Sequence, residues 1–177
     1  SYCGSGKRYD LRLRYLRESE PLGTVGPLAN LAESARDRTL LVMNGDVLSS
    51  LRYMDFYRAH RESGAIASIA LCRRNVRIDF GVLELDGRVG QEHRIREYRE
   101  KPELSATVSM GIYMFEPEVL DYIRPGVRLD LPELVNRLLE DDQLVGGYIF
   151  DGYWLDIGRH SDYQQALDDF EALKPHL

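Results

Sequence analysis

Apolar and polar positions follow two rhythms along this chain, one with a period of two and one with a period near 3.6. "LRLRYL" (residues 11–16) alternates strictly and predicts a half-buried strand, after which residues 25–36 read as a helix with Thr24 as N-cap and Pro27 in its first turn. "TLLVMNGD" (39–46) is an unbroken apolar run ending in Asn-Gly-Asp, which predicts a central strand covered on both faces. Ser49 or Ser50 caps a helix that runs through Arg61, and Gly64 stands where a helix closes. "AIASIALCRR" (65–74) is the next strand. In "FGVLELDGRV" (80–89) the Asp-Gly pair predicts a turn between short strands, and "HRIREYREKP" and "TVSMGIYMFE" follow as strands divided by Pro102. Asp130 and Glu133 have capping-box spacing ahead of the helix "PELVNRLLEDD". "LVGGYIF" and "YWLDIG" are short strands. Ser161 and Gln164 form a second capping box, and the helix after it lines up Tyr163, Ala166, Leu167, Phe170 and Leu173 on one face.

Helix and strand alternate in the first half, and strands succeed one another in the second. That order predicts an α/β domain with a mixed sheet in three layers. No repeat, low-complexity tract or long linker interrupts it, so residues 1–177 read as a single domain.

Composition narrows the partners. A 44% hydrophobic content is ordinary for a folded domain, while a net charge of −6 and a pI near 5.3 argue against nucleic acid and against an anionic membrane surface. Cys3 and Cys72 have neither disulfide-framework nor metal-ligand spacing and read as free thiols of a reducing compartment. There is no apolar run of roughly 20 residues and no signal peptide, so the cytoplasm is the expected location. Lysines are few, at positions 7, 101 and 174, which draws attention to Lys101.

Two acids end apolar strands. Asp46 closes "NGD", where Gly45 allows close backbone approach, and Asp156 sits between Leu155 and Ile157. Converging carboxylates from separate strands suit a hard divalent cation such as Mg²⁺, whose other positions go to water and phosphate oxygens. The alternative is a helix cap at Asp46 and an arginine pair at Asp156. "EPLGTVGPL" (20–28) could offer backbone amides to a base or phosphate, or be an ordinary turn. Glu100 and Lys101 in "EYREKP" could meet sugar hydroxyls and a phosphate, or form a surface ion pair. Gly81 and Gly111 interrupt strand patterns, as glycines do at a bulge or a ligand approach. The histidines show no metal-ligand spacing, and no Ser/His/Asp or Cys/His arrangement is evident.

"EPLGTVGPL", "NGDV", "FGV", "EYREKP", "SMGIYMF" and "GYWLDIGRHSDYQQA" follow one another in an order that resembles the sugar-1-phosphate nucleotidyltransferases. The resemblance implies a Rossmann-like nucleotidyltransferase fold, a three-layer α/β/α sandwich with a mixed sheet. It also implies in-line transfer of a nucleoside monophosphate from an NTP to a sugar 1-phosphate, with release of pyrophosphate, serving cell-surface polysaccharide or glycoconjugate synthesis. Carried over by position, Asp46 and Asp156 match the Mg²⁺ ligands and, with Lys101, the catalytic set. Leu22, Gly23 and Thr24, together with Asp46, match the nucleotide contacts. Gly81, Glu100, Lys101, Gly111 and Trp154 match the sugar-phosphate side. The base loop leans toward GTP, with dTTP second.

The family's glycine-rich triphosphate loop, G-G-x-G-T-R-L, has no match in the chain. The expectation is therefore the C-terminal two thirds of such a domain, with its N-terminal strands missing, inactive alone, and completed by the N-terminal segment or by homo-oligomer formation. The competing expectation is a noncatalytic NDP-sugar-binding or regulatory homologue. A glycosyltransferase of the related nucleotide-sugar fold is disfavoured because no D-x-D motif is present.

Overall fold

Six consecutive residues, 110–115, are buried, which for a β-strand means cover on both faces rather than one. They end the longest strand of a mixed α/β chain. The structure, a computed structural model, describes residues 2–31, 37–158 and 160–174; the side chains of residues 160, 161 and 171–173 lie outside that description. The strands are β1 (Leu40–Met43), β2 (Val47–Ser49), β3 (Ala67–Arg77), β4 (Val82–Val89), β5 (Glu92–Arg99), β6 (Glu103–Phe115), β7 (Val145–Ile149) and β8 (Trp154–Asp156). The α-helices are α1 (Tyr53–Ser63), α2 (Leu131–Glu140) and α3 (His160–Leu173), with 3₁₀ turns at Lys7–Tyr9, Gly26–Leu31 and Pro117–Tyr122. One sheet has the order β1-β6-β3-β7, while β2 with β8 and β4 with β5 make two-stranded sheets. Among the described residues no helix is long and apolar enough to cross a membrane.

The chain clusters into two compact units, residues 1–42, 60–68 and 113–146 in the first and 43–59, 69–112 and 147–177 in the second. The first is built on α2, whose Leu131, Leu134 and Leu138 form one buried stripe beside Val119, Leu120, Ile123 and Phe115. It also buries a polar node. His60 Nδ1 lies 2.8 Å from Ser68 Oγ and its Nε2 3.1 Å from Glu116 Oε1, so the neutral tautomer donates to Glu116 and accepts from Ser68. Arg61 donates to the same carboxylate oxygen at 2.6 Å and Thr39 at 3.1 Å. Burial pushes the His60 pKa down despite the adjacent carboxylate. Burial alone would raise Glu116, but the hydrogen bonds from Arg61, Thr39 and His60 outweigh it and hold its pKa down.

The second unit buries Leu51, Phe56, Ala70, Cys72, Met110, Ile112 and Leu155. Phe56 packs on Tyr148 with ring centroids 5.3 Å apart. Cys72 is buried and Cys3 exposed, both as free thiols.

Several local expectations change. Residues 11–16 form no strand and are mostly exposed, because alternation only sorts side chains to two faces, and a strand also needs a partner for its backbone. β1 is an edge strand with alternating burial, Leu41 and Met43 being exposed, so it is not covered on both faces. The predicted helix over 25–36 is a 3₁₀ turn as far as Leu31, and residues 32–36 lie outside the described ones. Ser49 belongs to β2; the next helix starts at Tyr53 and reaches Gly64, whose φ of +67° is the left-handed closure expected there. Asp86-Gly87 makes no turn: β4 runs through it with a bulge at Gly87 (φ +58°). The second capping box falls inside α3, which begins at His160, and the Ser161 side chain lies outside the description. Of the predicted α3 face, Ala166 is buried, Tyr163, Leu167 and Phe170 are exposed, and the Leu173 side chain lies outside the description.

Candidate functional site

β2 and β8 pair antiparallel with Val47 opposite Asp156, and the Asp46 carbonyl accepts the Ile157 N–H at 2.8 Å. That register brings the two strand-end acids together. A Cβ placed on Gly158 would lie 3.1 Å from Asp156 Oδ1 and 3.3 Å from Asp46 Oδ2, so both carboxylates close on one point that only hydrogen occupies. Asp156 Oδ1 accepts the Gly158 N–H at 2.9 Å, and both acids are exposed. The helix-cap alternative does not hold, since β2 rather than a helix follows Asp46; the Asp156 carboxylate accepts a backbone amide and forms no ion pair with an arginine among the described residues, Arg159 lying outside them. Among those residues no third His, Cys, Asp or Glu joins the two. Two carboxylates and open solvent are the donor set of a cation that retains most of its water.

Gly111 and Trp154 belong to the same neighbourhood. Gly111, in β6, has φ +75°, and a Cβ there would lie 2.8 Å from Asn44 Nδ2, while its carbonyl accepts the Asn44 N–H at 2.9 Å. The glycine thus seats Asn44, two residues before Asp46. Trp154 donates its Nε1–H to the Met110 carbonyl at 2.8 Å, and the Arg74 guanidinium lies 5.0 Å from the centre of its ring.

Gly81, Glu100 and Lys101 form a second group in the same unit. The Tyr98 hydroxyl donates to Glu100 Oε2 at 2.8 Å and occupies the space where a Cβ on Gly81 would stand. That hydrogen bond and the negative charge of Glu100 push the Tyr98 pKa up. Glu100 therefore pairs with Tyr98 and not with Lys101, which makes no ion pair among the described residues and holds φ at +45°, a strained setting for a non-glycine.

Leu22, Gly23 and Thr24 lie in the first unit. Thr24 N–H donates to Asp130 Oδ1 at 3.0 Å, Leu131 N–H donates to Thr24 Oγ1 at 2.8 Å, and Leu129 N–H donates to the Leu22 carbonyl at 2.9 Å. Gly23 has φ +79°, and a Cβ on it would meet the Leu129 carbonyl oxygen at 2.5 Å. Thr24 therefore caps α2 from far along the chain. Asp130, predicted to cap that helix through its own side chain, instead binds Thr24 N–H and Arg128; Glu133, its predicted capping-box partner, pairs with Arg137 at 2.6 Å.

A cavity of about 750 Å³ in the first unit contains none of the expected residues. Its rim sets four carboxylates, Glu118, Asp121, Glu140 and Asp141, against Arg124 and Arg137, the wrong balance for a triphosphate. Asn44, Tyr98, Arg74 and Gly158 were missed as contributors. Asn44, Tyr98 and Gly158 stand inside noted motifs, but the contacts that matter, to Gly111, Gly81 and Asp46, cross between segments.

The nucleotidyl transferase family model matches residues 1–172. A mannose-1-phosphate guanylyltransferase of Mycobacterium tuberculosis is 34% identical over 94% of this chain and 46% of its own length. A UTP–glucose-1-phosphate uridylyltransferase of Synechocystis is 32% identical, covering 94% of this chain and 47% of its own length. The chain thus spans about half the length of these curated relatives. In fold it is similar to a Bacillus anthracis protein described as a glucose-1-phosphate thymidylyltransferase, with a TM-score of 0.68, 23% identity, and coverage of 93% of this chain and 68% of that one. HddC from Yersinia pseudotuberculosis follows with a TM-score of 0.66, 20% identity, and coverage of 96% and 72%.

Proposed function

This chain belongs to the nucleotidyl transferase family, and from that premise we propose that it supplies the metal and sugar side of a sugar-1-phosphate nucleotidyltransferase. The reaction is attack of a sugar-1-phosphate oxygen on the α-phosphate of an NTP, giving an NDP-sugar and pyrophosphate. The observation that carries this reading is the meeting of the Asp46 and Asp156 carboxylates at Gly158.

Asp46 and Asp156 would hold Mg²⁺, which when bound neutralises charge on the reacting phosphates. Asp156 is oriented for that task by the Gly158 N–H, and Asn44, seated against Gly111, fixes the segment leading into Asp46. Lys101 is the cation for the phosphate of the sugar 1-phosphate, and Glu100, held by Tyr98, accepts sugar hydroxyls. Gly81 and Gly111 line the sugar side, and Trp154 walls it while anchored to Met110. The Leu22–Gly23–Thr24 turn, made rigid by its bonds to residues 129–131, presents the base contact. GTP is the preferred nucleotide, since the guanylyltransferase of M. tuberculosis and those of Xenopus are among the relatives; a uridylyltransferase also stands among them.

With no counterpart of the triphosphate loop among its motifs, the chain is expected to bind product better than it turns over substrate. The test is calorimetric titration of GDP-mannose, UDP-glucose and dTDP-glucose with and without Mg²⁺, alongside a pyrophosphate-release assay with the matching NTP and sugar 1-phosphate. Metal-dependent binding of at least one NDP-sugar is expected. Failure of all three to bind under either condition contradicts the reading.

A further inference from the structure

The residues assembled for the reaction carry no surplus of positive charge. Asp46 and Asp156 together cancel a divalent cation, and Glu100 offsets Lys101. Each phosphate of a substrate brings roughly −1.5 to −2 charges at neutral pH when it is a monoester. A further cation is therefore expected beside the two acids, in the second unit, where all four of these residues lie.

Most arginines of that unit are committed elsewhere. Arg52 and Arg58 pair with Asp55, Arg77 with Asp79, and Arg99 with Glu84 and Glu97. Arg88, Arg94 and Arg96 have no ion pair among the described residues, but they belong to the β4–β5 hairpin, which pairs with no other strand. Arg159 lies outside the described residues. Arg73 and Arg74 are successive in β3 and so leave it by opposite faces. Of the two, Arg74 meets a residue of the site, its guanidinium lying 5.0 Å from the centre of the Trp154 ring.

Trp154 is itself fixed. Its Nε1–H donates to the Met110 carbonyl, and it stands two residues before Asp156 in β8, so indole and carboxylate leave the strand by the same face. The step between them along the strand is roughly 6.5 Å. A guanidinium placed by a ring contact keeps N–H donors over for an anion, and Arg74 is exposed, with no carboxylate or carbonyl partner among the described residues. We propose that Arg74, carried on Trp154, is a phosphate-binding residue that takes the diphosphate of an NDP-sugar beside the Asp46–Asp156 pair. The inference rests on the nucleotidyltransferase reading given above. A guanidinium can also cover an aromatic face without binding anything. That role leaves affinity for a phosphate untouched, and the two are separable by experiment.

Trp154 is the only tryptophan of the chain, so its emission reports on the stack directly. GDP-mannose, UDP-glucose and dTDP-glucose are titrated with and without Mg²⁺, followed by emission and by calorimetry. At least one is expected to bind the native chain and to change Trp154 emission. Arg74→Gln is expected to weaken that binding roughly tenfold, and Arg74→Lys, which keeps the charge, to weaken it less, with Mn²⁺ affinity unchanged in both. If no NDP-sugar binds the native chain, the proposed function fails and this inference with it. If one binds without moving Trp154 emission, or binds Arg74→Gln as tightly as the native chain, the inference alone is overturned. It is overturned as well if Arg74→Gln loses Mn²⁺ affinity in the same proportion, because the residue then supports the shape of the site rather than the phosphate.

Discussion

Asp46 and Asp156 present carboxylate oxygens 3.3 and 3.1 Å from the one point where a side chain on Gly158 would begin. Contacts that close leave no slack for a methyl group. Gly158→Ala is expected to push the carboxylates apart by a few tenths of an ångström. Divalent-cation affinity should then fall roughly tenfold, the scale seen when groups supporting a metal ligand are disturbed. Mn²⁺ titration followed by electron paramagnetic resonance, beside a thermal melt, checks this. Unchanged affinity would show that the glycine is incidental.

Thr24 ties a turn to the start of α2 through a bond in each direction with residues 130 and 131. Thr24→Ala removes the acceptor for Leu131 N–H and should cost about 1 kcal/mol of stability, as loss of a helix cap does. Thr24→Ser keeps the acceptor and should recover most of it. Urea unfolding of the three proteins makes the comparison.

The His60 node predicts a pH dependence of stability. His60 titrates below its ordinary 6.5 in the folded chain, so between those two values the unfolded chain takes up a proton that the folded one refuses. Stability therefore falls as pH drops below about 6.5. Glu116, held below its ordinary 4.5, extends the loss as pH falls further, since the unfolded carboxylate protonates first. Thermal melts from pH 8 to 4 should show this descent, and His60→Gln should flatten its upper part. A native chain equally stable at pH 7 and pH 5 would contradict the assignment of a neutral His60.

Tyr98 and Glu100 share a hydrogen bond at 2.8 Å that raises the tyrosine pKa. Glu100→Gln removes the negative acceptor and should lower the Tyr98 titration midpoint, readable by NMR of ring-labelled tyrosine. Tyr98→Phe frees the Glu100 carboxylate and should weaken binding of an NDP-sugar severalfold while leaving Mn²⁺ affinity unchanged.

The legible parts of the fold were those that local pattern dictates. β3, β7, β8 and the left-handed Gly64 follow from apolar runs and punctuation, and the strand-end positions of Asp46 and Asp156 follow from the runs before them. What failed depended on partners distant in sequence. Residues 11–16 alternate as a strand should, but alternation supplies no neighbouring backbone. The exposure of Leu41 and Met43 is set by the place of β1 at the sheet edge, which its own sequence does not encode. Asp130 has the spacing of a capping box, yet its carboxylate is taken by Thr24, 106 residues away. Asp86-Gly87 is as good a bulge as a turn, and only the register of β5 chooses. The contact between Gly81 and Tyr98 is of the same kind, since a glycine in a strand pattern announces a close approach without naming what approaches.

The central claim is that Asp46 and Asp156 together hold a divalent cation. The most direct measurement is Mn²⁺ binding, by calorimetry or electron paramagnetic resonance, to the native chain, to Asp46→Asn and to Asp156→Asn, with circular dichroism to verify folding. One site is predicted in the native chain, with affinity lower by roughly tenfold or more in each folded variant, because each loses a charged oxygen ligand. Native affinity in either variant would contradict it.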